Sequence, residues 1–202
     1  MKNLVIISAP SGAGKTTICR ALQENADVKF SISCTTRERR NYEVEGVDYY
    51  FITDDDFQYR LSNDEFVETE NVHGFMYGTL KESIDYAISA REILLFEVDV
   101  KGAMSIKNLY PEQTISIFIL PPSFEDLKER LIKRGTDSRA RIAKRLERLD
   151  IEIGYKDQFD YTVINDSIFR ATSKIISIIN KQNEGVLHVN KNHINARDGK
   201  AI

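Results

Sequence analysis

Four short apolar runs, each followed by helix-compatible residues, set the strongest limit on what this chain can become. They are Asn3 to Ser8, Ile93 to Val98 (ILLFEV), Thr114 to Leu120 (TISIFIL) and Tyr161 to Ile164 (YTVI). Runs that are apolar at nearly every position, rather than at every second one, suit strands buried on both faces. Their alternation with helices predicts an α/β fold in which helices cover a parallel sheet. A length of 202 residues accommodates one full-sized domain with inserted subdomains.

Two segments interrupt the alternation. Residues 41–70 carry ten acidic side chains and a single basic one, Arg60, with Tyr and Phe scattered between them. This composition predicts an inserted subdomain of short strands and a helix, with Asp54 to Asp56 as charge at a helix start. Residues 125–148 carry nine basic and five acidic side chains, and Gly135 breaks two helix-like stretches. A helical hairpin acting as a lid is expected there. Beyond it, Ile142, Leu146, Leu149 and Ile153 recur at helical spacing and form one apolar face. The polar stretch from Glu184 to Ile202 has no sustained period and reads as a frayed tail or an oligomer contact.

Charge and composition narrow the partners. With 28 Lys and Arg against 31 Asp and Glu, the net charge is −3, which argues against nucleic acid held by bulk electrostatics. No apolar run approaches the roughly 18 residues of a membrane span, and the first run is too short for a signal peptide. A cytoplasmic protein without a membrane partner is expected. Cys19 and Cys34 are too few for a disulfide framework or a four-cysteine zinc site and read as buried thiols. His73, His188 and His193 have no metal-ligand spacing and are assigned no chemistry.

Between the first predicted strand and its helix lies Ala9-Pro10-Ser11-Gly12-Ala13-Gly14-Lys15-Thr16, followed by Thr17. It matches the phosphate-binding loop pattern except that Ala9 stands at the first Gly, a change that only a positive φ would forbid. Gly12 and Gly14 let backbone N–H groups turn toward a polyphosphate, and the helix N-terminus adds partial positive charge. Lys15 is placed to reach the β- and γ-phosphates, and the Thr16 hydroxyl to ligate Mg²⁺. Further on, Arg37, Arg39 and Arg40 crowd three guanidiniums into four residues, where the carboxyl ends of parallel strands collect ligands. Glu97 ends a predicted buried strand and is a second candidate on the Mg²⁺ side.

Seven segments in order, SAPSGAGKTT, SISCTTRERR, EGVDYYF, EFVETENVHGFMYGT, LLFEVDVKGA, PPSFEDLKERLIKRGTDS and VIND, resemble the guanylate kinase family from Leu4 to about Ile179. The resemblance implies a P-loop NTPase-type parallel-sheet core (1–33, 80–125 and 145–182), an inserted nucleoside-monophosphate-binding subdomain (34–79), a helical lid (126–144) and a polar tail (183–202). It also implies transfer of the γ-phosphoryl group of MgATP to GMP, with ATP and GMP as partners and Mg²⁺ as cofactor. Whether such a chain is a monomer or a homodimer is left open.

Carried over residue by residue, the resemblance sets the GMP phosphate against Arg37, Arg40, Tyr49 and Tyr77, and the guanine against Ser33, Glu68, Thr79 and Asp99. A carboxylate at Glu68 accepts from guanine N1–H and its exocyclic amine. The lid supplies Arg130 and Arg134, with Arg145 on the returning helix, while Arg139 and Arg141, which replace acidic residues common in relatives, face solvent. Asn165 falls near the adenine of ATP. Two alternatives stay open at this stage: a non-catalytic module of the same family that binds phosphoproteins, and a kinase of another phosphorylated acceptor such as a ribose phosphate.

Overall fold

The computed structural model describes residues 1–10, 12–72, 74–123, 125, 127 and 149–183. Its first strand, β1 (Leu4–Ser8), is buried throughout and runs into the glycine-containing loop and helix α1 (Lys15–Asn25). Short strands β2 (Lys29–Phe30), β3 (Cys34–Thr35) and β4 (Tyr50–Phe51) follow. Helix α2 (Asp54–Ser62) starts on the Thr53 hydroxyl, which accepts the Asp56 N–H, and Asp54, Asp55 and Asp56 fill its first turn. Their charge complements the helix dipole, the role expected of them from the sequence. Strands β5 (Phe66–Val72) and β6 (Phe75–Leu80) precede helix α3 (Lys81–Ala90). Strand β7 (Leu94–Glu97), helix α4 (Val100–Leu109), strand β8 (Thr114–Leu120), a 3-10 turn (Lys156–Gln158), strand β9 (Tyr161–Ile164) and helix α5 (Ile168–Gln182) follow among the described residues.

The main sheet has the order β2-β7-β1-β8-β9, and every pairing in it is parallel. Alternating side chains of β1 divide between two cores. Val5 and Ile7 pack with Ile18 and Leu22 of α1 and with Ile175 and Ile179 of α5. Leu4 and Ile6 pack on the opposite face with Ile84 of α3 and with Ala103 and Ile106 of α4. Burial on both faces is the physical reason that these strands are apolar at nearly every position.

A second sheet, β4-β3-β6-β5, is mixed, with β3 parallel to β4 and the other pairs antiparallel. It has its own small core of Cys34, Phe57 and Phe66, the two rings stacked 4.6 Å apart. Residues 34–35 form a strand of this sheet, so Arg37 follows a strand end. Both cysteines are buried, and burial pushes the Cys34 thiol up to about 11. Leu149 is fully buried and Ile153 half-buried, while Ile142 and Leu146 lie outside the described residues. Asn183, assigned by the sequence to the tail, is itself buried: its Oδ1 accepts from the Lys2 N–H at 2.7 Å and its Nδ2 donates to the Lys2 carbonyl at 3.1 Å. No helix among the described residues is long and apolar enough to cross a membrane.

Candidate active site

The loop after β1 turns sharply, with the Ala13 N–H donating to the Pro10 carbonyl at 3.0 Å. Gly12 and Gly14 have φ of 88° and 93°, a region that side chains disfavour. Ala9 is not among the positive-φ residues, and its methyl is buried in the core, so the missing first glycine costs this loop nothing. Gly14 caps α1 without a side chain, leaving the first N–H groups of the helix for another acceptor. Ser11 lies outside the described residues. Thr17 is exposed on the first turn of α1.

The end of β7 holds this turn from the opposite side. Thr16 Oγ1 donates to Glu97 Oε1 at 2.5 Å, and Lys15 Nζ donates to the Val98 carbonyl at 3.0 Å. Asp99, next in sequence, caps α4 by accepting the Gly102 N–H at 2.8 Å. A hydroxyl beside a carboxylate supplies hard oxygen donors, a set that fits Mg²⁺ brought in with nucleotide phosphates. No cluster of three or more His, Cys, Asp or Glu suited to a metal occurs among the described residues.

Arg37 is the centre of a second cluster. Its Nε–H donates to Tyr77 Oη at 3.1 Å, and its Nη1 donates to the Glu38 carbonyl at 2.7 Å and to Glu43 Oε2 at 3.0 Å. Its Nη2 donates to Glu43 Oε1 at 2.8 Å. The guanidinium also lies 5.5 Å from the centre of the Tyr49 ring, which meets the Tyr77 ring edge-on at 5.8 Å. Burial raises the Tyr49 phenol above its ordinary value, with the charges of Tyr77 and Glu97 adding to the effect. Arg40 is exposed; its Nη1 donates to Tyr42 Oη at 2.9 Å and stands 3.8 Å from Glu43 Oε1, the carboxylate that also holds Arg37.

Glu43 was legible only as one acidic residue among ten, yet it organises this cluster. Besides both Arg37 contacts, its Oε2 accepts the Arg40 N–H at 2.8 Å, and it is buried. Arg37 holds its carboxyl below the usual carboxylate range. The available signal was its spacing, six residues after Arg37 and three after Arg40.

The expected base-binding residues fall between the second sheet and α4. Thr79 Oγ1 donates to Glu68 Oε1 at 2.6 Å. A Cβ built on Gly102 would stand 3.2 Å from Glu68 Oε2, so this carboxylate lies directly over the first turn of α4. Burial pushes Glu68 above the ordinary carboxylate range, partly offset by the Thr79 hydroxyl, and the nearby Asp99 charge pushes it further up. Ser33 is half-buried, and its carbonyl accepts the Tyr50 N–H at 2.9 Å. On the far side of the phosphate loop, Asn165 Nδ2 donates to the Ala13 carbonyl at 2.9 Å. Arg130, Arg134, Arg139, Arg141 and Arg145 lie outside the described residues.

The sequence model of the family "Guanylate kinase" matches residues 1–182. The chain is 43% identical over 197 residues to the guanylate kinase of Clostridium acetobutylicum, covering 98% of this chain and 94% of that one. It is 41% identical over 180 residues to the guanylate kinase of Thermotoga maritima, covering 89% and 86% of the two chains. The crystal structure of guanylate kinase from Anaplasma phagocytophilum superposes with a TM-score of 0.71 at 28% identity, covering 91% of this chain and 86% of that one. With its family model matched over residues 1–182 and relatives more than 40% identical along nearly its whole length, the chain belongs to the guanylate kinase family of enzymes.

Proposed function

We propose that this chain transfers the γ-phosphoryl group of MgATP to GMP, releasing ADP and GDP. The observation that carries this is the continuity of residues 97–99: Glu97 engages Thr16, the Val98 carbonyl engages Lys15, and Asp99 caps the helix turn against which Glu68 lies. A phosphate-handling loop and a base-reading carboxylate therefore share one short segment. In this scheme Glu68 and Thr79, with Ser33 and Asp99, read the guanine edge. A donor–acceptor pocket of this kind penalises a base that leaves its buried groups unpaired.

The acceptor phosphate meets the Arg37 cluster. Among the described residues, four of the five guanidinium N–H groups of Arg37 are engaged, and the second Nη2 proton is assigned to phosphate. Tyr77 Oη accepts from Arg37, so its own proton is free to point toward the phosphate, and Tyr49 offers a second phenol. Arg40 joins by turning away from Tyr42. An oxygen of the GMP phosphate attacks the γ-phosphorus while the bond to the β–γ bridging oxygen breaks, and ADP leaves with that electron pair. Lys15 leaves the Val98 carbonyl to meet charge on the transferring group. Thr16 and Glu97 would hold magnesium brought in with ATP, which would supply charge neutralisation on the nucleotide phosphates. The family resemblance assigns Arg130, Arg134 and Arg145 to catalysis, as cations that stabilise the charge developing on the equatorial oxygens while excluding water.

An ADP-release assay with MgATP and a panel of GMP, AMP, CMP, UMP and ribose 1,5-bisphosphate tests the assignment. Turnover with GMP alone is expected. Turnover with a different acceptor would retain the kinase and discard the guanine pocket; silence with every acceptor in folded, ATP-binding protein would point to a binding module.

A further inference from the structure

The amide of Asn165 faces the phosphate loop. Strand β9 ends at Ile164, and the backbone N–H of Asn165 donates to the Leu120 carbonyl at 2.8 Å, so the residue is fixed by the end of β8. From there Nδ2 donates to the Ala13 carbonyl at 2.9 Å, across 152 positions of sequence. The same nitrogen would stand 2.5 Å from a Cβ on Gly14. Gly14 is thus required twice, by its φ of 93° and by the amide packed against it.

A carbonyl oxygen accepts, so the group facing Ala13 must be the donor end of the amide. The peptide joining Ala13 to Gly14 is planar, and in a trans peptide its C=O and N–H point in opposite directions. Holding the Ala13 oxygen toward Asn165 therefore aims the Gly14 N–H away from Asn165. Without that grip the peptide can rotate and present its oxygen, which repels phosphate. The Ala13 N–H is already committed to Pro10, and the Gly14 carbonyl accepts from Ile18 at 3.1 Å. The intervening peptide is the element of this turn whose orientation Asn165 decides.

We propose that Asn165 is a positioning residue of the phosphate loop, setting the Gly14 N–H for a polyphosphate by holding the Ala13 carbonyl. The proposal rests on the assignment of residues 9–16 as the ATP phosphate site, and it gives Asn165 a task separate from contact with adenine. A residue that acts through the loop must affect a polyphosphate that carries no base.

Calorimetric titration of the wild-type chain, Asn165→Ala and Asn165→Asp with MgATP, magnesium tripolyphosphate and GMP provides the test. Asn165→Ala is expected to weaken MgATP and tripolyphosphate by the same factor, about five- to tenfold, with GMP affinity unchanged. Asn165→Asp keeps the size of the side chain but sets a carboxylate against the Ala13 oxygen, and a larger loss of the same selectivity is expected. Weakening of ATP without tripolyphosphate would assign Asn165 to the base and overturn the proposal. Unchanged affinities, or equal loss of all three ligands, would overturn it as well. Failure of the wild-type chain to bind either polyphosphate would instead remove the phosphate-loop assignment on which it stands.

Discussion

Glu43 grips Arg37 at two points, Oε1 to Nη2 at 2.8 Å and Oε2 to Nη1 at 3.0 Å, while its Oε2 also accepts the Arg40 N–H at 2.8 Å. Such a fork has one orientation, so the guanidinium reaches Tyr77 with its Nε–H, and in the proposed reaction an Nη2 proton meets the acceptor phosphate. Glu43→Gln retains one oxygen acceptor and loses the charge and half of the fork. The Michaelis constant for GMP is expected to rise about tenfold with kcat changed less and the constant for ATP unchanged, as steady-state kinetics with each substrate varied will show. Because Arg37 lowers the folded-state pKa of Glu43, the ion pair stabilises the protein above the unfolded carboxylate value and is lost as pH falls through the folded one.

Glu68 has the opposite pH behaviour. Burial raises its folded-state pKa, so protonation begins above the ordinary carboxylate range and GMP recognition weakens on acidification before ATP binding does. The stability sign is reversed too: a raised carboxyl pKa means that the folded state gains protons first, and stability rises as pH falls through that value. Thr79→Ala removes a donor that favours the ionised form and is expected to move the acid limb of the GMP constant to higher pH. A limb at the same pH in both proteins would disconnect Glu68 from GMP binding.

Gly102→Ala separates stability from recognition. Alanine favours a helix by about 1 kcal/mol over glycine, but its Cβ would stand 3.2 Å from Glu68 Oε2, which Thr79 holds through the other oxygen at 2.6 Å. The carboxylate must yield by a few tenths of an ångström. A several-fold rise in the GMP constant without loss of thermal stability is expected, to be read from kinetics and thermal unfolding together.

Lys15→Ala deletes a cation whose Nζ donates to the Val98 carbonyl, so the circular dichroism spectrum should be unchanged. Turnover is expected to fall by about a hundredfold to a thousandfold, because the charge lost is one that the transferring phosphoryl group requires. Unchanged turnover in the ADP-release assay would remove Lys15 from the reaction.

Asp160 ties α4 to β8 and to the start of β9. It accepts from Lys107 Nζ at 2.7 Å, from the Ser116 N–H at 2.8 Å and from Ser116 Oγ at 2.8 Å. Burial alone would raise its pKa, but the Lys107 and Ser116 donors together hold it below the usual carboxylate range. Asp160→Asn is expected to cost about 1–3 kcal/mol in chemical denaturation. The difference from wild type should shrink as pH falls through the lowered folded-state pKa, where the wild-type carboxylate also loses its charge.

The sequence by itself determined the parallel sheet, the glycine turn after its first strand and the family, because each is written locally. Two-sided burial requires apolar strands such as Leu4–Ser8, a phosphate turn requires glycine at its positive-φ positions, and a helix start is marked by Thr53 and three aspartates. The tertiary structure alone decided which partners those residues meet. Glu43 reads as surface charge until the loop folds back on Arg37, and the hold of Val98 on Lys15 is made by a backbone carbonyl that every residue carries. Asn165 joins Ala13 from 152 positions away, a distance at which no local pattern operates. Strand burial and turn geometry are properties of neighbouring residues, whereas the direction of a donor depends on which distant acceptor the packed sheet brings to it.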